Sequence, residues 1–433
     1  MSPQFLSRKI LIVATSDSGG AGEFMLKFAY YLRELGHTVC FLVKEKTKRD
    51  SFIVRYVEKR NYFQRLENKI YNVLMNFFFQ NLSFNEKYCF YSVNEKGKNV
   101  NINSLIRKLE FTPEFIFSGW TSDFLNSTDL LNFKNHFGAK IYVVSMDMNH
   151  LTGGCHYAWD CNGYINGCNT DCPAIKSHKS KKLAKKNFRI KHLNAQKGGF
   201  NIISGSGWTL KQAQKSLIYK NQIEFPNINS LIDTRVMNPK SRSYAKDIFE
   251  LNNDNFYILC GSQDSNDPRK GFDFLLESFI LLYNILSEKD RKKVNIIVVS
   301  QTINRKFDTI PFEKKQLKFI ADYRLLSLLY QAVDLYVNSS IEDSGPMMVS
   351  EAMACGTPVV GFDMGVVNNL VITGYNGYKA KLKNSEDLAD GIKKILYLDK
   401  DEYKIYSDNA VETVIKYSSF QSCKEVINKI LMD

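Results

Sequence analysis

No apolar run in this 433-residue chain approaches the ~18 residues a helix needs to cross a bilayer. That excludes a helical membrane-spanning protein and points to a soluble or peripheral one. Internal repeats and low-complexity tracts are absent, so neither a solenoid nor a disordered polar chain is indicated. Proline is scarce, at nine, while 44% of residues are hydrophobic, so the chain can build an ample core. Length alone suggests two or three domains, and we take two. Acids fall short of bases, 45 against 58, and the net charge of +13 favours an anionic partner: nucleotide sugar, lipid phosphate, acidic membrane or nucleic acid. A signal peptide is not expected either. Arg8 and Lys9 precede an apolar run, but Ser16, Asp17 and Ser18 break it too early for a signal peptide, so it reads as a first β-strand. The nine cysteines are an odd number in a chain that reads as cytoplasmic, which argues against a disulfide framework.

Strands alternate with amphipathic helices, the pattern of a doubly wound parallel sheet, and they do so twice. The first domain is expected over residues 1–225 and the second over 226–410, with 411–433 a C-terminal helix packing back on the first. Early elements are a helix from Glu23 to Leu35 closed by Gly36 and a strand from Thr38 to Val43. Later ones are a strand from Asn255 to Cys260, a helix from Phe272 to Leu286, a strand from Val294 to Ser300 and a helix from Ser327 to Ala332.

The richest stretch runs from Asp343 to Asp363. Val333–Ser340 before its helix and Thr357–Phe362 after it are short apolar runs that read as buried parallel strands. Between them Ser344 is the expected N-cap, Pro346 sits in the first turn where its missing N–H costs little, and Gly356 with Pro358 ends the helix. The loop entering that helix would lie at the carboxyl end of the sheet, where N–H groups of Ser344, Gly345, Met347 and Met348 can receive a diphosphate. Glu351, more than a turn in, leans back toward the same crevice and could accept from both ribose hydroxyls. Asp343 would face the transferred sugar.

Two loops add cations and backbone donors. Asp17–Gly22 follows the first strand, with Gly19 and Gly20 allowing close backbone approach at a helix start, though without GxGxxG spacing. Gly261–Gly271 follows a strand in the second half and carries Arg269 and Lys270 to the sheet edge, where they can neutralise a leaving diphosphate. Cys155, Cys161, Cys168 and Cys172 fall within 18 residues among Gly153, Gly154, Gly163 and Gly167. Reduced thiols on a short loop over 153–173 suit tetrahedral structural zinc, but their spacing is not that of standard CxxC pairs. Disulfides and packed free thiols stay open as readings. Lys46–Gln80, ending in the aromatic run near Phe77, and Lys176–His192 are basic segments suited to an anionic membrane surface or to a lipid acceptor, or simply to a solvated or core-packed helix.

The acid, seven residues, acid, then Glu351–Val360 closely resembles the signature of family-4 glycosyltransferases, and matches run from Ile10 to about Tyr417. The resemblance implies a GT-B fold of two Rossmann-like domains facing across a cleft, and retaining chemistry by front-face attack. It implies that Glu351 holds the donor ribose, that the first acid, here Asp343 beside Glu342 where the family has Glu, contacts the sugar, and that Arg269 and Lys270 meet the diphosphate. Pro226–Thr234 resembles the family's interdomain connection, departing at Ser230 and Leu231. Met146–Pro173 resembles a cysteine-bearing insertion of some bacterial members. Met146 occupies the place of a common His; Asp147 would orient the acceptor, with His150 or His156 able to substitute, and no general base is assigned.

The expected function is hexosyl transfer from a nucleoside-diphosphate sugar to a glycan or lipid-linked acceptor in surface polysaccharide synthesis, in the cytoplasm or on the inner face of the membrane. No catalytic metal is expected, Asp399 and Asp401 reading as surface acids. A sugar-nucleotide epimerase or a phosphorylase of the same architecture is the rival. A zinc-bearing nucleic-acid binder would leave the signature unexplained, so no nucleic-acid partner is expected.

Overall fold

The computed structural model describes residues 7–57, 83–91, 94–302 and 305–432. Most of the Lys46–Gln80 segment, including its aromatic end, lies outside them. Among the described residues no helix is long and apolar enough to cross a membrane. The chain divides into two compact units: residues 1–205, 209–227 and 429–433, and residues 206–208 and 228–428.

Strands of the first unit are β1 (Lys9–Ser16), β2 (Thr38–Glu45), β3 (Ile53–Arg55), β4 (Phe115–Ser118), β5 (Lys140–Ser145) and β6 (Asn201–Ser204). They pair in parallel in the order β3-β2-β1-β4-β5-β6. The second unit holds β7 (Phe256–Asp264), β8 (Val294–Thr302), β9 (Glu313–Leu317), β10 (Leu335–Asn338), β11 (Val359–Phe362) and β12 (Gly377–Ala380). Its order, β12-β11-β10-β7-β8-β9, repeats the same winding: the first strand of each half pairs with the second on one side and the fourth on the other. Strands covered on both faces by helices must be apolar at nearly every position. β1 meets that demand with Ile10 to Ala14 all buried, and β10 and β11 are buried throughout.

In such a sheet the connections after the first and fourth strands leave in opposite directions, which opens a crevice at their carboxyl ends. Two such points exist here, at β1/β4 and at β7/β10. The helix after β1 spans Gly19–Glu34, starting four residues before the expected Glu23, because the glycines themselves form its first turn. Gly22 is the constrained one, since a Cβ there would meet the Ser16 carbonyl oxygen at 2.6 Å. Gly19 and Gly20 have open space instead.

The signature helix spans Met347–Ala354, with Pro346 in the N-cap position in extended conformation. This corrects the expectation of Ser344 as N-cap and of Pro346 in the first turn. The Gly345 N–H is taken up by the Asp343 side chain, and Pro346 is extended, so the helix begins at Met347. At the interdomain connection Ser230 and Leu231 both adopt left-handed φ values of 46° and 48°, a conformation that favours glycine.

Candidate functional site

In the second unit, the loops after β7 and β10 meet at the switch point. Asp267 caps a short 3-10 turn, Pro268–Lys270, and Gly271 closes it at φ 62°. A Cβ at Gly271 would sit 2.0 Å from the Ser339 carbonyl oxygen, so only glycine lets the two loops touch. Across that contact Ile341 N–H donates to the Arg269 carbonyl oxygen at 2.8 Å and Ser339 Oγ donates to that of Lys270 at 2.8 Å. The result presents Lys270 Nζ to Asp343 Oδ2 at 2.5 Å. Ser340 Oγ donates to the same oxygen at 3.4 Å, and Gly345 N–H donates to Oδ1 at 3.2 Å. Asp343 is 5% exposed. Burial works to raise its pKa, but the charges of Lys270 and Arg269 and these hydrogen bonds outweigh it, and the carboxyl is held below its usual range.

This arrangement sorts the expected donor ligands. The Gly345 N–H is turned onto Asp343, while Met347 and Met348 occupy the first two positions of the helix, whose N–H groups have no partner within it. Arg269 pairs its guanidinium with Asp267, so its side chain is anchored beside Lys270. Glu342 is buried next to Asp343, and its N–H reaches the Arg269 carbonyl oxygen at 3.3 Å. Of the two acids, Asp343 is the one paired with Lys270.

Glu351 is buried at the back of the same helix, where it accepts from Tyr323 Oη on one oxygen and from Tyr330 Oη on the other, both at 3.0 Å. Burial and the neighbouring carboxylate push the Tyr330 phenol well above its ordinary pKa, so it stays a donor. Both tyrosines lie on the helix Tyr323–Ala332, and sequence reading missed them. A signal was there: seven residues apart, they fall on one helix face.

The first unit builds a second cluster at the carboxyl ends of β1, β4 and β5. Asp17, fully buried, accepts from Thr47 N–H, Thr47 Oγ1 and Lys48 N–H at 2.7 to 3.0 Å, tying the loop after β2 to the start of the Gly19 helix. Asp147 follows β5. Its Oδ2 lies 2.6 Å from His156 Nδ1, and its Oδ1 accepts from Asn149 N–H at 2.8 Å. On the far side of the ring, Asn149 Nδ2 and Ser122 Oγ stand 3.2 and 2.8 Å from Nε2, and Trp120 Nε1 donates to Nδ1 at 2.9 Å. Trp120 and Tyr91 pack on the ring. Burial pushes the Asp147 carboxyl up, but the His156 charge and hydrogen bond and the Asn149 N–H prevail and lower it.

His156, not His150, therefore joins Asp147. His150 Nε2 faces the Gly119 carbonyl oxygen at 3.1 Å, and burial, then the Lys191 charge, lowers its pKa. With both ring nitrogens engaged and the ring 2% exposed, His156 orients Asp147 rather than offering a free lone pair. Asp147→Ala should remove charge-assisted bonds and destabilise the protein by about 1.5–3 kcal/mol at neutral pH. Because the native carboxyl titrates below its unfolded value, that stability exists above about pH 4 and fades as pH falls through the native pKa. Urea melts of both proteins should thus converge in acid; a gap independent of pH would refute the ion pair.

All nine cysteines are free thiols. Cys155, Cys161, Cys168 and Cys172 converge beside Tyr88 and an apolar cluster of Phe90, Ala174, Ile175 and Ala184. Among the described residues no three His, Cys, Asp or Glu side chains are spaced to hold a metal ion as they stand. Asp399 caps the helix Lys400–Tyr417, accepting from the Asp401 and Glu402 N–H groups at 2.9 Å, a structural use of the Asp399-Lys-Asp401 acids.

Residues 255–397 match the family model described as glycosyl transferases group 1. An uncharacterized glycosyltransferase of Haemophilus influenzae is 26% identical over 216 residues, or 48% of this chain; the chain spans 58% of that relative's length. Two solved structures share the architecture over nearly the whole chain. Anabaena HepE, in complex with UDP-glucose, is 15% identical at a TM-score of 0.60, covering 98% of this chain and 100% of its own. WaaG, a glycosyltransferase involved in lipopolysaccharide biosynthesis, is 13% identical at 0.61, covering 97% and 99%. The chain thus has the GT-B fold of two Rossmann-like domains, and the match to the glycosyl transferases group 1 model lies within its second unit.

Proposed function

We propose that this protein is a retaining family-4 glycosyltransferase that moves a hexosyl group from a nucleoside-diphosphate sugar to a glycan or lipid-linked acceptor of surface polysaccharide synthesis. The observation that carries this reading is the part-buried Lys270–Asp343 pair at a sheet switch point, next to a helix N-terminus and about one helical turn from Glu351. A cation, aligned N–H groups and a diol-binding carboxylate are what a nucleoside diphosphate requires. The UDP-glucose complex of the HepE neighbour supports a donor of this class.

In this mechanism Met347 and Met348 N–H, with Lys270 and Arg269, take up charge on the departing diphosphate as the glycosidic C–O bond breaks. Asp343, kept ionised, faces the positive charge that develops on the sugar ring. The acceptor oxygen attacks the same face the diphosphate leaves, and its proton passes to a phosphate oxygen. Asp147, fixed by His156, orients the acceptor. No catalytic metal is assigned. The basic surface implied by the +13 charge suits a cytoplasmic enzyme working at an anionic inner-membrane face.

A thermal-shift screen against nucleoside diphosphates and their sugar conjugates tests the reading, because a ligand at a hundred times its Kd stabilises the native state by about 2.7 kcal/mol. A selective shift, followed by acceptor-dependent release of the nucleotide, is expected. Acceptor-independent release of free nucleotide would favour an epimerase, and a requirement for phosphate would favour a phosphorylase. Absence of any shift in folded protein would overturn the proposal.

A further inference from the structure

The function proposed above makes no use of the four clustered cysteines, yet their setting is not that of ordinary buried thiols. Cys155 and Cys172 are in sulfur–sulfur hydrogen-bond contact, and Cys155 also interacts electrostatically with Cys161 and Cys168. Cys161 Sγ and Cys168 Sγ lie 3.5 and 3.4 Å from one shared point, where a Cβ on Gly163 would stand, so the two sulfurs approach each other over that glycine. Backbone donors aim at two of the sulfurs. Gly153 N–H donates to Cys168 Sγ at 3.3 Å, and the N–H groups of Ala174 and Ile175, two and three residues on, both reach Cys172 Sγ. Paired N–H donors from the residues just after a cysteine form the knuckle that stabilises a thiolate, and a neutral packed thiol has little use for them.

Several thiolates in one partly apolar pocket are stable only with a cation among them. Lys191 acts on Cys168, while the acids Asp160 and Asp171 directly precede Cys161 and Cys172 in the chain.

We propose that Cys155, Cys161, Cys168 and Cys172 bind one zinc ion as a closed tetrathiolate site. Each thiol gives up its proton to solvent and each sulfur donates a lone pair to the metal, with no change of oxidation state. The sulfurs are gathered but not at ligand distances; binding draws them in by rotation about χ1, the one torsion that places each sulfur. With four protein ligands and no open position, the site is structural. Its mechanical role follows from the chain around it. Phe90 bridges to Cys155 and Phe84 to Ile175 in antiparallel fashion, and Cys155 directly precedes His156, the residue bonded to Asp147. The ion would staple the loop that holds that pair.

The test is elemental analysis of full-length protein purified without chelator or added metal, with thiol titration of the same sample. We expect about one zinc per chain, four thiols unreactive until a mercurial releases the metal, and loss of zinc in Cys161→Ser with retention in Cys89→Ser. Should Cys161→Ser fail to fold, exchange of cobalt into the wild-type protein gives an independent readout, a thiolate-to-cobalt charge-transfer band. Folded protein with no metal and four titratable thiols would overturn the proposal, as would a Cys155–Cys172 disulfide. Neither result bears on donor binding by the second unit, so the two readings fail separately.

Discussion

Lys270→Met is expected to lower turnover by about two to three orders of magnitude, the range for removing one preorganised charge from a developing anion. It should also cost about 3 kcal/mol of stability. The second effect arises because Asp343 is buried and Lys270 Nζ, 2.5 Å away, is its principal counter-charge. Removing the lysine strands the carboxylate. The two effects can be separated with Lys270→Met/Asp343→Asn: deleting both charges should restore most of the stability, as buried pairs replaced together often do, and none of the activity.

The pH dependence follows from the direction of the shift. Asp343 is held below its ordinary pKa, so its contribution is present above the unfolded value near 4 and is lost as pH falls through the native one. Wild type should therefore lose stability in acid more steeply than the double variant. Kinetics in saturating donor together with urea melts at neutral and acid pH measure all of this. If Lys270→Met proves as active as wild type, Lys270 does not serve the leaving group.

Glu351→Gln is the second large effect, expected to weaken nucleoside-diphosphate affinity by roughly ten- to a hundred-fold, the worth of a charge-assisted hydrogen bond at about 1.5–3 kcal/mol. Glutamine is chosen over alanine because Tyr323 and Tyr330 both donate to this carboxylate. Truncation would leave two phenols unsatisfied in or near the core and confuse binding with folding. The two tyrosines fix the direction of the carboxylate. The sharper measurement is a cycle of two proteins and two ligands by calorimetry. A 2′-deoxy nucleotide should bind wild type more weakly than its ribo counterpart, and the difference should vanish in Glu351→Gln. A difference that survives would detach Glu351 from the ribose.

Much of this was legible in the chain. The β10–helix–β11 unit could be read because each of its signals is local: β-branched strands, a proline near the helix start, Gly356 at its end, two acids in fixed register. The doubled sheet was legible for the same reason, since apolar runs and helical periods report burial directly. Errors fell where local signals compete. Ser344 has the chemistry of an N-cap, but its loop is held by Asp343, Gly345 and Gly365, whose Cβ would strike the Asp343 carbonyl oxygen at 2.7 Å. The helix waits until Met347 for that reason.

By itself, then, the sequence determined the fold class, the loop proposed to meet the diphosphate and the two acids of the signature, because spacing along one strand–helix–strand unit sets their geometry. The partners were decided only by tertiary structure. Lys270 reaches Asp343 across 73 positions, Tyr323 and Tyr330 reach Glu351 from another helix, and His156 rather than His150 turns onto Asp147. Which strands are neighbours, and hence which loops touch, depends on the order β7 beside β10 and β1 beside β4. That order is settled by packing the whole core, and no local stretch of residues encodes it.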